Sequence, residues 1–104
     1  PWREARGIRV NRLQLQAAVV QVQNLRYTPA GIPVLNLVLE HGSQQTEMDT
    51  PRTVQLQIRA VAFGALAERL QKQAFNEMVA FDGFLANARN GKGVVFHIQA
   101  FSKT

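Results

Sequence analysis

The sequence contains no cysteine, so it can form neither a disulfide framework nor a thiolate metal site. A chain of 104 residues needs neither, because it is long enough to bury a hydrophobic core without cross-links. The absence of cysteine suits a reducing compartment. We therefore expect a single domain that works in the cytoplasm.

Long apolar runs are also missing. No stretch approaches the roughly 18 consecutive apolar residues that span a bilayer. The arginine-rich beginning of the chain is not followed by the apolar segment of a secretory signal. We expect no membrane partner.

Residue types for catalysis and metal binding are scarce. The two histidines, His41 and His97, fall on different predicted strands or at their ends, and no pair of side chains has metal-ligand spacing. No glycine-rich phosphate loop is present. The sequence predicts a binding protein with no enzymatic activity, no metal and no cofactor.

Acidic residues are outnumbered, because 12 Lys and Arg oppose 7 Asp and Glu and leave a net charge of +5. Such a charge favours a polyanionic partner. Part of the excess lies in residues 1–10, which we predict to be a flexible basic arm ahead of a domain over residues 11–104. A second part follows Asp82, the last acidic residue, and consists of Arg89, Lys92 and Lys103.

The stretch from Arg26 to Val34 predicts a tight turn between two long strands. Thr28 can start the turn, Pro29 suits its fixed φ, and Gly31 suits its last position. Apolar and polar residues alternate before it from Leu13, and the phase changes at Val20. A change of phase without a turn residue indicates a bulge or a strong bend.

The remaining pattern predicts three more strands and one helix. The second strand of the hairpin runs from Val34 to Leu39, and a polar loop is predicted from His41 to Pro51. A third strand over 52–63, a helix over 65–73, and strands over 78–88 and 94–101 complete the chain. The last two strands are predicted to form a hairpin at Asn90-Gly91, where both residues tolerate positive φ. We therefore predict an all-β, five-stranded OB-fold barrel with one short helix between strands three and four.

A protein that binds single strands needs cations along the phosphates and flat side chains on which bases stack. The candidates from the sequence are Arg26, Tyr27, Arg52, Phe84, Arg89 and Lys92. Phe84 stands on the polar face of its strand, where a solvent-facing phenylalanine is unexpected. The alternatives are that Phe84 packs against a partner subunit or a folded-back loop, and that the arginines are ordinary surface charges.

Several fragments, taken in order, resemble the bacterial single-stranded DNA-binding protein family, and within it the primosomal members. They are Asn11-Arg12-Leu13, the turn over 26–34, Val38-Leu39-Glu40-His41, Val61-Ala62-Phe63-Gly64 and Asp82-Gly83-Phe84-Leu85. The resemblance covers about residues 11–101. It implies a nucleoid-associated homodimer that binds single-stranded DNA in replication restart, bridging the PriA helicase to DnaT-like primosome proteins.

The resemblance also implies residue roles. Dimers of this family pair through the first strand, which assigns Leu13, Leu15, Val20 and Val22 to an interface. Near Gln55, enterobacterial members carry a tryptophan for stacking, and a glutamine stacks less well. One alternative is therefore an OB-fold protein–protein adaptor with weak or vestigial DNA affinity. An RNA-binding OB module of the cold-shock type is less favoured, because we expect the sheet to lack closely spaced aromatics.

Overall fold

A computed structural model describes residues 9–73 and 77–103. The predicted basic arm covers residues 1–10, of which 1–8 lie outside the described residues. In chain order the elements are β1 Leu13–Val22, β2 Arg26–Tyr27, β3 Pro33–Glu47, β4 Thr50–Phe63, α1 Ala65–Gln71, β5 Met78–Asn87 and β6 Val94–Lys103. The predicted all-β architecture, with one short helix after the third long strand, is confirmed.

The five long strands close into a barrel. Strand β1 pairs antiparallel with both β3 and β5, β5 pairs with β6, β6 runs parallel to β4, and β4 pairs with β3. The short strand β2 adds to the edge of β3. This closed five-stranded barrel is an OB fold.

The predicted bulge in β1 is confirmed and helps to close the barrel. Val19 lies opposite Leu39, whereas Gln21 lies opposite Val38, so Val20 is the extra residue. A bulge bends a strand and increases its twist. The strand can therefore pair with β5 over its first half and with β3 over its second.

The core lies inside the barrel, where the alternating apolar side chains of all five long strands meet. Its largest fully buried side chains are Phe81, Phe96, Leu35, Leu39, Leu70 and Val34. Helix α1 buries Ala67 and Leu70, which puts its apolar side against the core. The helix follows Gly64, whose φ of 73° turns the chain out of β4.

The predicted turn at Thr28 to Gly31 is confirmed, but it joins the two-residue strand β2 to β3 and not two long strands, because β1 already ends at Val22. The Gly31 N–H donates to the Thr28 carbonyl at 2.8 Å, and the Thr28 N–H donates to the Ile32 carbonyl at 2.9 Å. The Thr28 hydroxyl also accepts from the Ile32 N–H at 3.1 Å. Gly31 has φ 85°, which explains why glycine suits this position.

The prediction of a polar loop from His41 to Pro51 is wrong. Strands β3 and β4 continue as a paired ladder as far as Glu47 and Thr50. Only Met48 and Asp49 form the turn, and both have positive φ, 50° and 62°. The sequence pattern did not reveal this hairpin, because its side chains are mostly polar. Backbone hydrogen bonds hold the two strands together even where neither face is fully buried.

The predicted hairpin at Asn90-Gly91 is present, because β5 and β6 pair on either side of it, but its turn is centred one residue earlier than expected. The Gly91 N–H donates to the Ala88 carbonyl at 2.8 Å, so Arg89 and Asn90 occupy the centre of the turn. Gly91 and Gly93 have positive φ, whereas Asn90 does not. The result is a six-residue loop over 88–93, here called the β5–β6 loop.

Strand β6 contains a second bulge that the sequence pattern did not reveal. Asp82 lies opposite Ala100 while Gly83 lies opposite Ile98, so Gln99 is the extra residue. The alternation therefore changes phase, Ala100 is exposed, and Phe101 packs against the core. The Arg69 guanidinium lies over the Phe101 ring, 5.6 Å from its centroid.

Candidate nucleic-acid interface

A groove of 580 Å³ crosses the outer surface of the barrel between the first hairpin and the β5–β6 loop. Here it is called the barrel groove. Three arginines, Arg26, Arg59 and Arg89, line it, together with amide side chains and the rings of Phe63 and His97. No Asp or Glu of the described residues is among its lining. The barrel groove therefore offers cations, hydrogen-bonding amides and flat rings together, without a carboxylate.

Three rings stand side by side, and two of them, Phe63 and His97, line the barrel groove. Phe63 and His97 have centroids 5.9 Å apart with planes at 19°, and His97 and Phe84 have centroids 4.9 Å apart with planes at 11°. This aromatic row forms because β4, β6 and β5 are neighbours, so outward side chains at one level lie next to each other. The expectation that the sheet lacks closely spaced aromatics holds along the sequence and fails in space.

Phe63 is the exposed end of the aromatic row, with 47% of its surface accessible, whereas His97 and Phe84 are half-buried. Phe84 packs on the His97 ring. Neither Phe63 nor His97 is among the binding candidates predicted from the sequence. A signal for Phe63 was available, because it shares the outward phase of β4 with Arg59 and Val61.

Two candidates lie on β2 at one side of the barrel groove. Arg26 pairs opposite Val34, and Tyr27 pairs opposite Pro33. With the Asn36 amide oxygen turned toward it, the Arg26 guanidinium donates through Nε and Nη2 at 3.3 Å. Tyr27 is 60% exposed, but it alternates with Arg26 along the strand and is not among the residues that line the groove. The Arg26 guanidinium is thus oriented by a neutral side chain, and this contact does not compensate its charge.

The β5–β6 loop lies at the other side of the barrel groove and carries Arg89 and Lys92, both exposed. The Arg59 Nη2 donates to the Lys92 carbonyl at 2.9 Å, which ties the loop to β4. Within the loop, the Lys92 N–H donates to Asn90 Oδ1 at 2.9 Å and the Ala88 N–H donates to the Gly93 carbonyl at 3.0 Å. Arg59 therefore both contributes charge and holds the loop in place.

Arg52 is not brought to this site. It lies near the end of the β3–β4 hairpin opposite Gln45, and its Nε contacts the Glu47 carboxylate at 2.8 Å. Arg52 and Arg59 are an odd number of residues apart along β4. Because side chains alternate along a strand, the two point to opposite faces of β4. Gln55, in contrast, is an even number of residues from Arg59 and therefore lies on the same face of β4.

The four residues assigned to a dimer interface are placed differently from one another. Leu13, Leu15 and Val22 are partly buried and pack against the barrel core. Val20, the bulge residue, points outward and is 47% exposed. Of the four, Val20 offers the most apolar surface for a contact with another chain.

The beginning of the domain is tied to β5 by side chains. Asn11 donates to the Leu85 carbonyl at 2.8 Å and accepts from the Leu85 N–H at 3.0 Å, as a paired strand residue would. Arg12 contacts Asp82 through Nη2 at 2.6 Å and Nε at 3.2 Å. Hydrogen bonds from Arg12 and then from Gln14 lower the pKa of Asp82.

The described part of the chain shows no group of three or more His, Asp or Glu side chains arranged to hold a metal ion. No helix within it combines the length and the apolar character needed to cross a membrane. The side chains of the barrel groove can bind a ligand non-covalently, through positive charge, amide hydrogen bonds and ring stacking.

Comparison with known proteins gives consistent matches. Residues 11–100 match the model of a single-strand binding protein family. The chain is 42% identical over 91 residues to the replication restart protein PriB of Bordetella pertussis, covering 86% of this chain and 85% of the relative. It is 43% identical over 76 residues to PriB of Neisseria meningitidis serogroup B, covering 73% and 75%. The structure of PriB from Ralstonia solanacearum aligns with a TM-score of 0.83 at 39% identity, covering 91% of this chain and 98% of that one.

The family match runs from residue 11, just ahead of β1, to residue 100 within β6. The matches confirm the resemblance drawn from the sequence motifs, and they describe a binding protein, as predicted, and not an enzyme. The chain therefore belongs to the single-strand binding protein family, among the replication restart proteins PriB.

Proposed function

We propose that this chain binds single-stranded DNA in the barrel groove as part of replication restart. The observation that carries the proposal is the lining of the groove, where three arginines and the aromatic row meet with no carboxylate among the described lining residues. Cations with stacking surfaces are the usual requirements for binding a single strand. The names of the relatives, replication restart proteins, support the same role.

Four basic side chains contact the phosphates in this proposal. Arg26 lies at one side of the barrel groove, Arg59 on its floor, and Arg89 and Lys92 on the β5–β6 loop at the other side. This arrangement takes the strand across the barrel, from the loop to the first hairpin. Because each contact releases condensed counterions, binding is expected to weaken steeply with salt.

Base stacking takes place at Phe63. It is the accessible ring of the aromatic row, and His97 and Phe84 behind it hold its orientation. A base stacked on an aromatic side chain contributes about 1–3 kcal/mol. Tyr27, exposed next to Arg26 in the chain but outside the groove lining, offers a second ring to a base beyond the groove. Single strands are preferred because their unpaired bases can reach these rings.

The family resemblance suggests the oligomeric state and the protein partners. We infer a homodimer that forms through β1, with Val20 at the contact and Leu13, Leu15 and Val22 supporting the strand from the core side. We infer further that the dimer bridges the PriA helicase to DnaT-like proteins. A protein with this task works in the cytoplasm, in association with the nucleoid.

A second candidate function is a protein–protein adaptor with weak DNA affinity. Gln55 favours it, because it lies on the same face of β4 as Arg59 and places an amide where enterobacterial members stack a tryptophan. The two functions differ in the affinity of the barrel groove for a single strand and are separated by one measurement.

That measurement is the anisotropy of a labelled oligothymidine titrated with protein at several salt concentrations, beside a duplex of equal length. We expect tighter binding to the single strand. Arg89→Ala should weaken it several-fold and make the log–log salt slope shallower by about 1. Arg52→Ala is the matched control, because it removes the same charge from the opposite face of β4 and should have much less effect.

Two results would speak against the proposal. If the protein binds no single strand even at low salt, the adaptor remains. If Arg52→Ala weakens binding as much as Arg89→Ala, net charge and not the barrel groove governs the affinity.

A further inference from the structure

We propose that Glu40 sets one boundary of the single-strand track and keeps the DNA off the β3–β4 hairpin. The inference rests on the proposed function and deepens it, because it concerns how much of the outer face of β4 the strand occupies. Glu40 lies on β3, just beyond the residues that line the barrel groove on that side.

The register of β3 and β4 places Glu40 on the outer face. Val38 lies opposite Arg59, and both line the barrel groove. The next pair on the same face, two residues along each strand, is Glu40 and Gln57. Two residues advance a strand by about 7 Å, so the carboxylate follows directly after the guanidinium of Arg59 along the path to the hairpin.

Glu40 also differs from Glu47 and Asp82 in having a neutral partner. Gln57 Nε2 donates to its Oε2 at 3.2 Å, and the side chain is exposed. Glu47 is instead paired with Arg52, and Asp82 with Arg12. The negative charge of Glu40 is therefore uncompensated by a contacting cation among the described residues.

This charge acts on the path of the strand. A phosphate backbone that followed the outer face of β4 from Arg59 toward Gln55 would have to pass the Glu40–Gln57 pair. At about 0.1 M salt, charges are screened over roughly 10 Å, so a phosphate beside this pair feels the carboxylate. The DNA strand is therefore steered across the barrel, and only a short length of DNA contacts the protein.

The test measures affinity against the length of oligothymidine for the wild type, Glu40→Gln and Glu68→Gln. Glu68 is exposed on α1, so its replacement changes the net charge equally at a different place. We expect Glu68→Gln to change the affinity by the same small factor at every length. Glu40→Gln should bind long oligothymidines about threefold to tenfold tighter at low salt, with a smaller gain for the shortest that bind.

Glu40→Lys sharpens the result, because it continues the positive track onto the hairpin. Its log–log salt slope with long oligothymidine should be steeper by about 1 than that of the wild type. Equal behaviour of Glu40→Gln and Glu68→Gln at every length would overturn the boundary and leave the barrel groove as the binding site. Failure of the wild type to bind at all would overturn the proposed function and the boundary with it.

Discussion

Gly83 on β5 lies so close to the His97 carbonyl on β6 that no side chain fits between them. A Cβ at Gly83 would overlap the His97 carbonyl oxygen and would stand 2.9 Å from the Phe96 ring. The contact lies immediately beside the aromatic row, where Phe84 pairs opposite His97. The glycine thereby permits the close approach of β5 and β6 on which the row depends.

Gly83→Ala should destabilise the fold strongly, because the added methyl meets backbone atoms and the strands must separate. We expect the free energy of unfolding, measured by urea denaturation, to fall by about 1–3 kcal/mol or more. The matched control is Gly42→Ala in β3, where the nearest atom to an added Cβ is 3.8 Å away. Equal stability of the two variants would contradict the close packing at Gly83.

Phe63→Ala should weaken single-strand binding about fivefold or more with little change in stability, since the side chain is half exposed and serves as the stacking surface. Anisotropy with oligothymidine measures the loss. Met48→Ala is the control, because it removes an apolar side chain that is 94% exposed at the hairpin tip. An equal loss from both variants would exclude a specific role for the Phe63 ring.

Arg59→Lys should loosen the β5–β6 loop while preserving the charge, because an ammonium group cannot reproduce the orientation of the guanidinium toward Lys92. Trypsin cleaves after Arg89 and Lys92, so we expect severalfold faster cutting within the loop. Arg52→Lys, the same change on the hairpin, controls for the substitution itself. Unchanged cleavage in Arg59→Lys would show that the loop holds itself in place.

Asp82→Asn should remove a stabilising contribution that depends on pH. The Arg12 hydrogen bond lowers the pKa of Asp82 in the folded state, so the contribution is present above the ordinary aspartate pKa and is lost as the pH falls through the lowered value. The wild type should unfold at a higher urea concentration than the variant near neutral pH, and the difference should vanish in acid. A difference that stays constant with pH would have another origin.

The double substitution Met48→Asn and Asp49→Gly should stabilise the β3–β4 hairpin, because both positions have positive φ, which asparagine and glycine adopt more easily. We expect a gain of about 1 kcal/mol in the free energy of unfolding, measured by urea denaturation. Ala30→Gly in the first hairpin turn is the control, since Ala30 has no positive φ and the substitution should not stabilise. A loss of stability in the double variant would contradict the turn geometry.

The sequence was most informative where the alternation of apolar and polar residues was strong. The change of phase at Val20 predicted the bulge, because a strand with one buried face cannot change phase without one. The β3–β4 hairpin was missed, since its side chains are mostly polar and neither of its faces is fully buried. The bulge at Gln99 was missed too, because Ala100 and Phe101 are both apolar and suit either face.

By itself, the sequence determined the five strands, the turn at Thr28 to Gly31 and the excess of positive charge, because these depend on local alternation, local φ preferences and composition. Only the tertiary structure decided which side chains meet. Phe63, His97 and Phe84 are distant along the chain and form a row because barrel closure places β6 between β4 and β5. Alternation along β4 already puts Arg52 and Arg59 on opposite faces, but only the folded barrel shows which face carries the groove, and Arg59 lines it.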